Sequence, residues 1–424
     1  MKYYLVGIKG TGMSSLACFL KDLGNTVVGS DVSDYFFTEE TLKNKKINYF
    51  TFNKNNIKST YIYIIGNAFD KNNLEVMEIL NSKYEYYYYH EFIGHVLEKD
   101  LICISGTHGK TTTASFLSQM LKGNSSYIIG DGTGYGTTNT NYLVLESCEY
   151  KDHFLSYNPK IALVTNIELD HPDYFKNVEQ LKNSFQMFIN KTKLVVLNND
   201  EKSTKYLKHN KIITFGFSKS SDYIIKIIKE NKNGYFLNII DKEQNNTYSC
   251  YFPFLGKHMI YDFVGGFVIS LIIGQNPYVD NLKLPKRRMT IYKYGKSILI
   301  DDYAHHPTEI KCLYEAVKKT YPKLKINVIF QPHTYSRTFE FKKDFKNVLK
   351  LFDKVYLEDV FTSKREEFDW KKENELRKYF DEFDKFENCI LNYIDKKKKE
   401  IWVFLGAGVI NRHISYLIND NENK

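Results

Sequence analysis

Residues 101–121, LICISGTHGKTTTASFLSQML, constrain the chain more than any other stretch. Apolar and β-branched residues run into Ser105, a glycine turn follows at Gly106, Thr107, His108 and Gly109, and Phe116, Leu117, Met120 and Leu121 then recur at helical spacing. The pattern predicts strand, turn and helix. Such a turn suits a polyphosphate, because glycines let backbone N–H groups face the anion and the helix N-terminus adds the positive end of its dipole. Lys110 is placed to reach the terminal phosphates, and Thr111, followed by Thr112, offers a hydroxyl to Mg2+. Two residues separate the glycines where the general P-loop has four, so a helix cap built from threonines is the competing reading. The strand and helix on either side favour phosphate.

Residues 3–31 repeat the theme. A short apolar strand at 3–6 leads into Gly7, Gly10 and Gly12, a helix is predicted at 14–23 with Gly24 as its C-cap, and a second strand at 26–29 ends in Ser30 and Asp31. This is the start of a dinucleotide-type βαβ unit. Its glycines fall as G-x-x-G-x-G and not G-x-G-x-x-G, so NAD and a nucleoside diphosphate sugar both remain open on the residues alone.

Further strands are predicted at 61–68, 142–145, 161–165, 297–300, 326–330, 354–357 and 401–405, alternating with helices such as 72–82 and 309–320. At 424 residues the chain exceeds one typical core. It reads as three α/β domains in series: a Rossmann-like unit at 1–98, a P-loop unit at 99–289 and a second Rossmann-like unit at 290–424. The pattern breaks at Pro285 and restarts at Ile291, which places a hinge near 286–290.

The net charge of +9 is scattered among 50 acids, so it indicates a small anionic substrate as readily as nucleic acid, and no nucleic-acid partner is expected. Cysteines 18, 103, 148, 250, 312 and 389 lie far apart without a CxxC pair, which points to reduced thiols and to neither a zinc site nor a disulfide framework. No signal-peptide core precedes the first strand, and no apolar run approaches the ~18 residues of a membrane span. The expectation is a soluble cytoplasmic protein without a membrane partner, a monomer or weak homodimer.

Polar clusters follow several strands. Glu146, Ser147, Cys148 and Glu149 come after the strand at 142–145, and Asn166, Glu168, Asp170, His171 and Asp173 after the strand at 161–165. Both clusters lie where an open α/β sheet keeps its ligands, and their carboxylates and imidazole can complete Mg2+ coordination around phosphates. Asp301, Asp302, His305 and His306 follow the strand at 297–300, and His333 and Arg337 the strand at 326–330, forming a second rim.

GIKGTGMSSL, GTHGKTTT, IGDGTG, CEYKDHFLSYNPKIALVTNIELDHPDYF, KRR, DDYAHHPTEI, FQPHTYSRT and the terminal FLGAG together resemble the Mur ligase family over essentially the whole chain. DDYAHHPTEI and QPHTYSRT are specific to the branch that adds L-alanine to UDP-N-acetylmuramate. The resemblance implies an ATP-dependent amide-forming ligase of peptidoglycan precursor synthesis with Mg2+ as cofactor. The sugar nucleotide would sit at Gly7, Gly10, Gly12, Met13, Ser14, Ser30 and Asp31, which decides the open choice against NAD. ATP would bind at residues 106–112 with Arg288, Asp302 and His305. Thr111, Glu146 and His171 would hold the metal, while Lys110, His171, His333 and Arg337 would serve catalysis. Two departures stand out: Asp262 replaces an Asn of the family's adenine-contacting loop, and Val409 replaces an acid after FLGAG. They keep open a degenerate sugar-nucleotide-binding subunit, and a ligase that recycles murein peptides stays open because the sequence does not show the size of the amino-acid pocket.

Overall fold

Apolar runs separated by glycine turns and amphipathic helices become three sheets in series in the computed structural model, which describes residues 1–362, 366–387, 391–392 and 394–422. The first sheet holds β1 (Lys2–Val6), β2 (Thr26–Asp31), β3 (Asn48–Thr51), β4 (Ile62–Ile65) and β5 (Tyr86–Tyr88). Its order is β3-β2-β1-β4-β5, parallel throughout. The helix between β1 and β2 spans Thr11–Asp22 and so begins three residues before the predicted start. Its first turn is set by backbone bonds, Gly10 N to Gly7 O at 3.1 Å and Ser14 N to Gly10 O at 2.8 Å, and not by a capping side chain. Its C-cap is Leu23, one residue before the expected Gly24, which at φ +82° closes the turn with Gly24 N to Lys21 O and Asn25 N to Leu20 O.

The second sheet has ten strands: β6 (Asp100–Ser105), β7 (Ser126–Ile128), β8 (Gly134–Tyr135), β9 (Tyr142–Glu146), β10 (Ile161–Val164), β11 (Leu194–Asn198), β12 (Ile212–Gly216), β13 (Tyr223–Asn231), β14 (Gly234–Asp241) and β15 (Asn246–Phe252). In the order β15-β14-β13-β12-β11-β10-β6-β9-β7-β8, the central strands are parallel, which brings the ends of β10, β6 and β9 side by side. The antiparallel extension β13–β15 and the β7–β8 hairpin are absent from the sequence reading. The helices Lys110–Met120 and Lys257–Ile272 pack closely where Gly266 meets Leu117.

The third sheet holds β16 (Thr290–Tyr294), β17 (Ser297–Asp302), β18 (Ile326–Phe330), β19 (Lys354–Leu357), β20 (Asp384–Lys385) and β21 (Ile401–Leu405), in the order β16-β17-β21-β18-β19-β20. Every residue of β18 and β21 is buried, as expected of parallel strands covered on both faces. One apolar cluster joins the first domain to the second and another joins the second to the third. Cys18, Cys103, Cys148, Cys250 and Cys312 are free thiols, and Cys389 lies outside the described residues. Among the described residues no helix is long and apolar enough to cross a membrane.

Candidate active site

The turn after β6 is built from both sides of the sheet. His108 N donates to Asn166 Oδ1 at 3.0 Å and Thr107 Oγ1 to Glu168 O at 2.8 Å, so the loop after β10 holds the loop after β6. Gly109 has φ +82°, and a Cβ there would stand 2.3 Å from Asp262 Oδ1, so only glycine fits. Lys110 opens the helix, and its ammonium donates to Gly106 O, to Thr107 O at 3.0 Å and to Glu149 Oε2 at 3.0 Å. Burial works against the lysine charge, but Glu149 outweighs it and holds the ammonium above its ordinary range.

Thr111 Oγ1 donates to Glu146 Oε1 at 3.0 Å, and Gly130 N to Glu146 Oε2 at 2.7 Å. Burial pushes this carboxyl up against the pull of Lys110. A hydroxyl beside a carboxylate is an oxygen donor set, and it fits Mg2+. His171 lies in a different group: its Nε2 is 4.0 Å from Glu149 Oε1, and Cys148 joins the two with ligand atoms within 4.8 Å of one another. Cysteine spacing alone carries no sign of that grouping.

The third domain rests on this loop. Arg337, 1% exposed, reaches across to Asp170, with Nε to Oδ1 at 2.8 Å and Nη2 to Oδ2 at 3.1 Å. Burial would raise the Asp170 carboxyl, but Arg337 holds it well below the usual carboxylate range. Arg337 also donates to His333 Nδ1 at 2.8 Å. Thr308 Oγ1 donates to Glu168 Oε1 at 2.7 Å, and His108 spans Glu168 at 3.1 Å and Glu309 at 3.3 Å. Burial pulls the His108 imidazole down, yet its two carboxylates hold it up at about 9. Burial and Arg337 lower His305 to about 3, and burial raises Asp302 to about 6 against Arg288.

A cavity of about 590 Å³ opens beside the turn, between the second and third domains. His108, Gly109, Thr112, Arg288 and Asp302 line it, with Asp262 and Met259 from the helix Lys257–Ile272. Lys110, Thr111, Glu146, His171 and His305 stand outside its lining. Glu149 and Asp170 belong to the polar clusters that the sequence points to, without an assigned role, whereas nothing in the sequence points to Glu309. The signal for Asp170 was its place beside His171 after a strand, whereas Glu309 falls within a helix and looks like an ordinary first-turn acid.

In the first domain, Gly7 N and Ile8 N donate to Ser30 O, Lys9 N donates to Asp31 Oδ2 at 2.7 Å, and the Ser30 hydroxyl binds Glu75. Ser14 Oγ is turned to Gly132 O of the second domain at 3.3 Å, Met13 is buried, and the Tyr89 ring covers Gly12. Ser30 and Asp31 thus brace the glycine turn from behind.

Three family models cover this frame: "Mur ligase family, catalytic domain" over residues 2–100, "Mur ligase middle domain" over 104–269 and "Mur ligase, glutamate ligase domain" over 287–408. The chain belongs to the Mur ligase family. Members of this family are ATP-dependent amide ligases that use Mg2+. The fold is similar to that of the UDP-N-acetylmuramate-alanine ligase of Thermotoga maritima, with 22% identity over 100% of this chain and 99% of that one and a TM-score of 0.81. A murein peptide ligase of Psychrobacter arcticus matches at 19% identity, over 100% of this chain and 99% of that one, with a TM-score of 0.74. The MurF ligase of Thermotoga maritima, solved in complex with ADP, matches at 15% identity, over 94% and 95%, with a TM-score of 0.62.

Proposed function

We propose that this Mur ligase joins L-alanine to the lactyl carboxylate of UDP-N-acetylmuramate, with the units 1–98, 99–289 and 290–424 taking the sugar nucleotide, ATP and the closing rim. The observation that carries the reading is the junction at Asp170: the loop bearing His171 is clamped by Arg337 of QPHTYSRT, 2.8 Å away, so the rims of two domains meet beside the phosphate turn. A carboxylate is a poor acyl donor, so the γ-phosphoryl group of ATP passes to it, giving ADP and an acyl phosphate. The alanine amine then attacks the carbonyl carbon, phosphate leaves with the C–O electron pair, and the ammonium proton is lost to solvent or base. Thr111 and Glu146, with His171 nearby, would hold Mg2+, which neutralises charge on the phosphates. Lys110 would exchange Glu149 for phosphate oxygens, and positioning carries most of the first step. A seated third domain excludes water from the acyl phosphate. ATP and a sugar nucleotide as substrates fit a cytoplasmic enzyme, and the proposal takes it as a monomer or weak homodimer.

Purified protein with UDP-N-acetylmuramate, L-alanine and ATP is expected to release ADP, and Lys110→Ala to abolish that release. Near-normal turnover by the variant would overturn the role of the turn. Faster turnover with a tripeptide than with alanine would reassign the acceptor to a murein peptide, and no ADP with either would leave a binding subunit.

A further inference from the structure

Between the glycine turn of the first domain and Lys110 of the second lies a polar cluster that the nucleotide cavity does not include. The strand order of the first sheet reverses between β1 and β4, and in such sheets ligands lie beyond the strand ends at that crevice. The turn at residues 7–12 leaves β1 there, Asn67 follows β4, and His90 follows β5. His153 comes from the second domain, on a segment where Lys151 and Asp152 take φ of +53° and +58°. That conformation is held by the Asp152 carboxylate, which accepts hydrogen bonds from the hydroxyls of Tyr174 and Ser184. Strain of this kind persists only where the surroundings over-determine it.

Asn67 joins the two rings. Its Oδ1 accepts from His90 Nδ1 at 2.8 Å, its amide nitrogen donates to His153 Nδ1 at 3.1 Å, and the imidazoles stack with centroids 4.5 Å apart and 28° between planes. An amide offers the rings opposite ends, so His90 gives its Nδ1 proton and, when neutral, keeps Nε2 as an acceptor for a hydroxyl or amide N–H. Burial lowers the His90 pKa and favours that neutral form. From His153 the row continues through Tyr150, whose ring lies 6.5 Å from His153 and 4.6 Å from His171, and on to Glu149 and Lys110. A sugar nucleotide whose diphosphate sits on the glycine turn must cross this row to bring its carboxylate to a phosphoryl group at Lys110.

We infer that Asn67, His90 and His153 seat the hexosamine of the sugar nucleotide and position its carboxylate for phosphoryl transfer. They are positioning residues, and the inference rests on the function proposed above. The test is calorimetric titration of the full-length wild type, His90→Ala, His90→Gln and His153→Asn with UDP-N-acetylmuramate, with UDP alone and with a non-hydrolysable ATP analogue, after thermal melts confirm folding. Leaving a hydrogen-bonding group unpaired at such a seat costs binding on the order of ten- to a hundredfold. UDP-N-acetylmuramate should weaken by that factor in His90→Ala and His153→Asn and recover in His90→Gln, while UDP and the ATP analogue bind as to wild type. Turnover should show the loss in KM for the sugar nucleotide, with KM for ATP unchanged. Equal weakening of UDP and UDP-N-acetylmuramate, or no weakening of either, would overturn the seat. A wild type that binds the ATP analogue but no sugar nucleotide would instead overturn the proposed function, and this inference with it.

Discussion

Asp262 faces Gly109 in the cavity wall, where the Mur ligase pattern has Asn, and its Oδ1 accepts from Thr113 Oγ1 at 3.2 Å. Burial raises the carboxyl to about 7, opposed by the Thr113 hydroxyl and by the charges of Arg288 and His108. An ionised Asp only accepts hydrogen bonds; a carboxyl that is half protonated near neutrality also donates, as an Asn amide does. The folded protein therefore holds this proton more tightly than the unfolded chain, whose Asp titrates near ~3.9. The stabilisation is complete below about pH 4 and is lost as pH rises towards about 7. Asp262→Asn should remove that slope, at most about 1.4 kcal/mol per pH unit, and leave the variant the more stable protein above pH ~7. Denaturant titrations between pH ~5 and ~8 check it, and parallel slopes for the two proteins would refute it.

At the scale of elements, the first and second domains are joined by backbone against backbone. The β7–β8 hairpin lies on the helix Thr11–Asp22, and a Cβ at Gly134 would meet Ser15 O at 1.9 Å. The Ser15 hydroxyl also binds Ile129 O, so the helix is anchored to both sides of the hairpin. Gly134→Val should cost about 1–3 kcal/mol through forced separation of the two elements. Thermal unfolding reads the loss, and an unchanged midpoint would mean that the contact yields freely. The connection to the third domain is equally specific. Arg287, 4% exposed and at φ +58°, donates to Gly408 O at 2.7 Å and Gly406 O at 2.6 Å and faces Asp301 at 3.3 Å. The segment expected as a hinge, 286–290, is therefore stitched to the third domain from Arg287 onward. Val409 fits the same turn, its N–H donating to Gln331 Oε1 at 2.9 Å.

In the whole molecule, the Asp170–Arg337 pair fastens the third domain to the second. Removing one member of a buried pair leaves the other charge unpaired, at about 3–5 kcal/mol. Domain opening relieves that cost by giving the remaining charge to water. Arg337→Ala should then show a larger radius of gyration by small-angle scattering than wild type, both saturated with a non-hydrolysable ATP analogue and UDP-N-acetylmuramate. Superimposable curves would exclude Arg337 as the fastening.

What the sequence determined by itself is local. The apolar runs at 101–104, 326–330 and 401–405 read as strands and are buried ones, and the glycines at 106 and 109 ahead of Lys110 mark a turn from strand to helix, because both signals depend on neighbours a few residues away. The three antiparallel strands β13–β15 escaped that reading because lysines, asparagines and glutamates interrupt their alternation, as at Lys226, Asn238 and Asn246, and their pairing is made across the sheet. The partners of the candidate site belong to the tertiary structure alone. Lys110 and Glu149 are separated by 39 positions and Asp170 and Arg337 by 167, and no periodicity links residues so far apart. The raised carboxyl of Asp262 likewise depends on what surrounds it: desolvation is a property of the packed interior, and it exists only once the helix Lys257–Ile272 lies against Gly109.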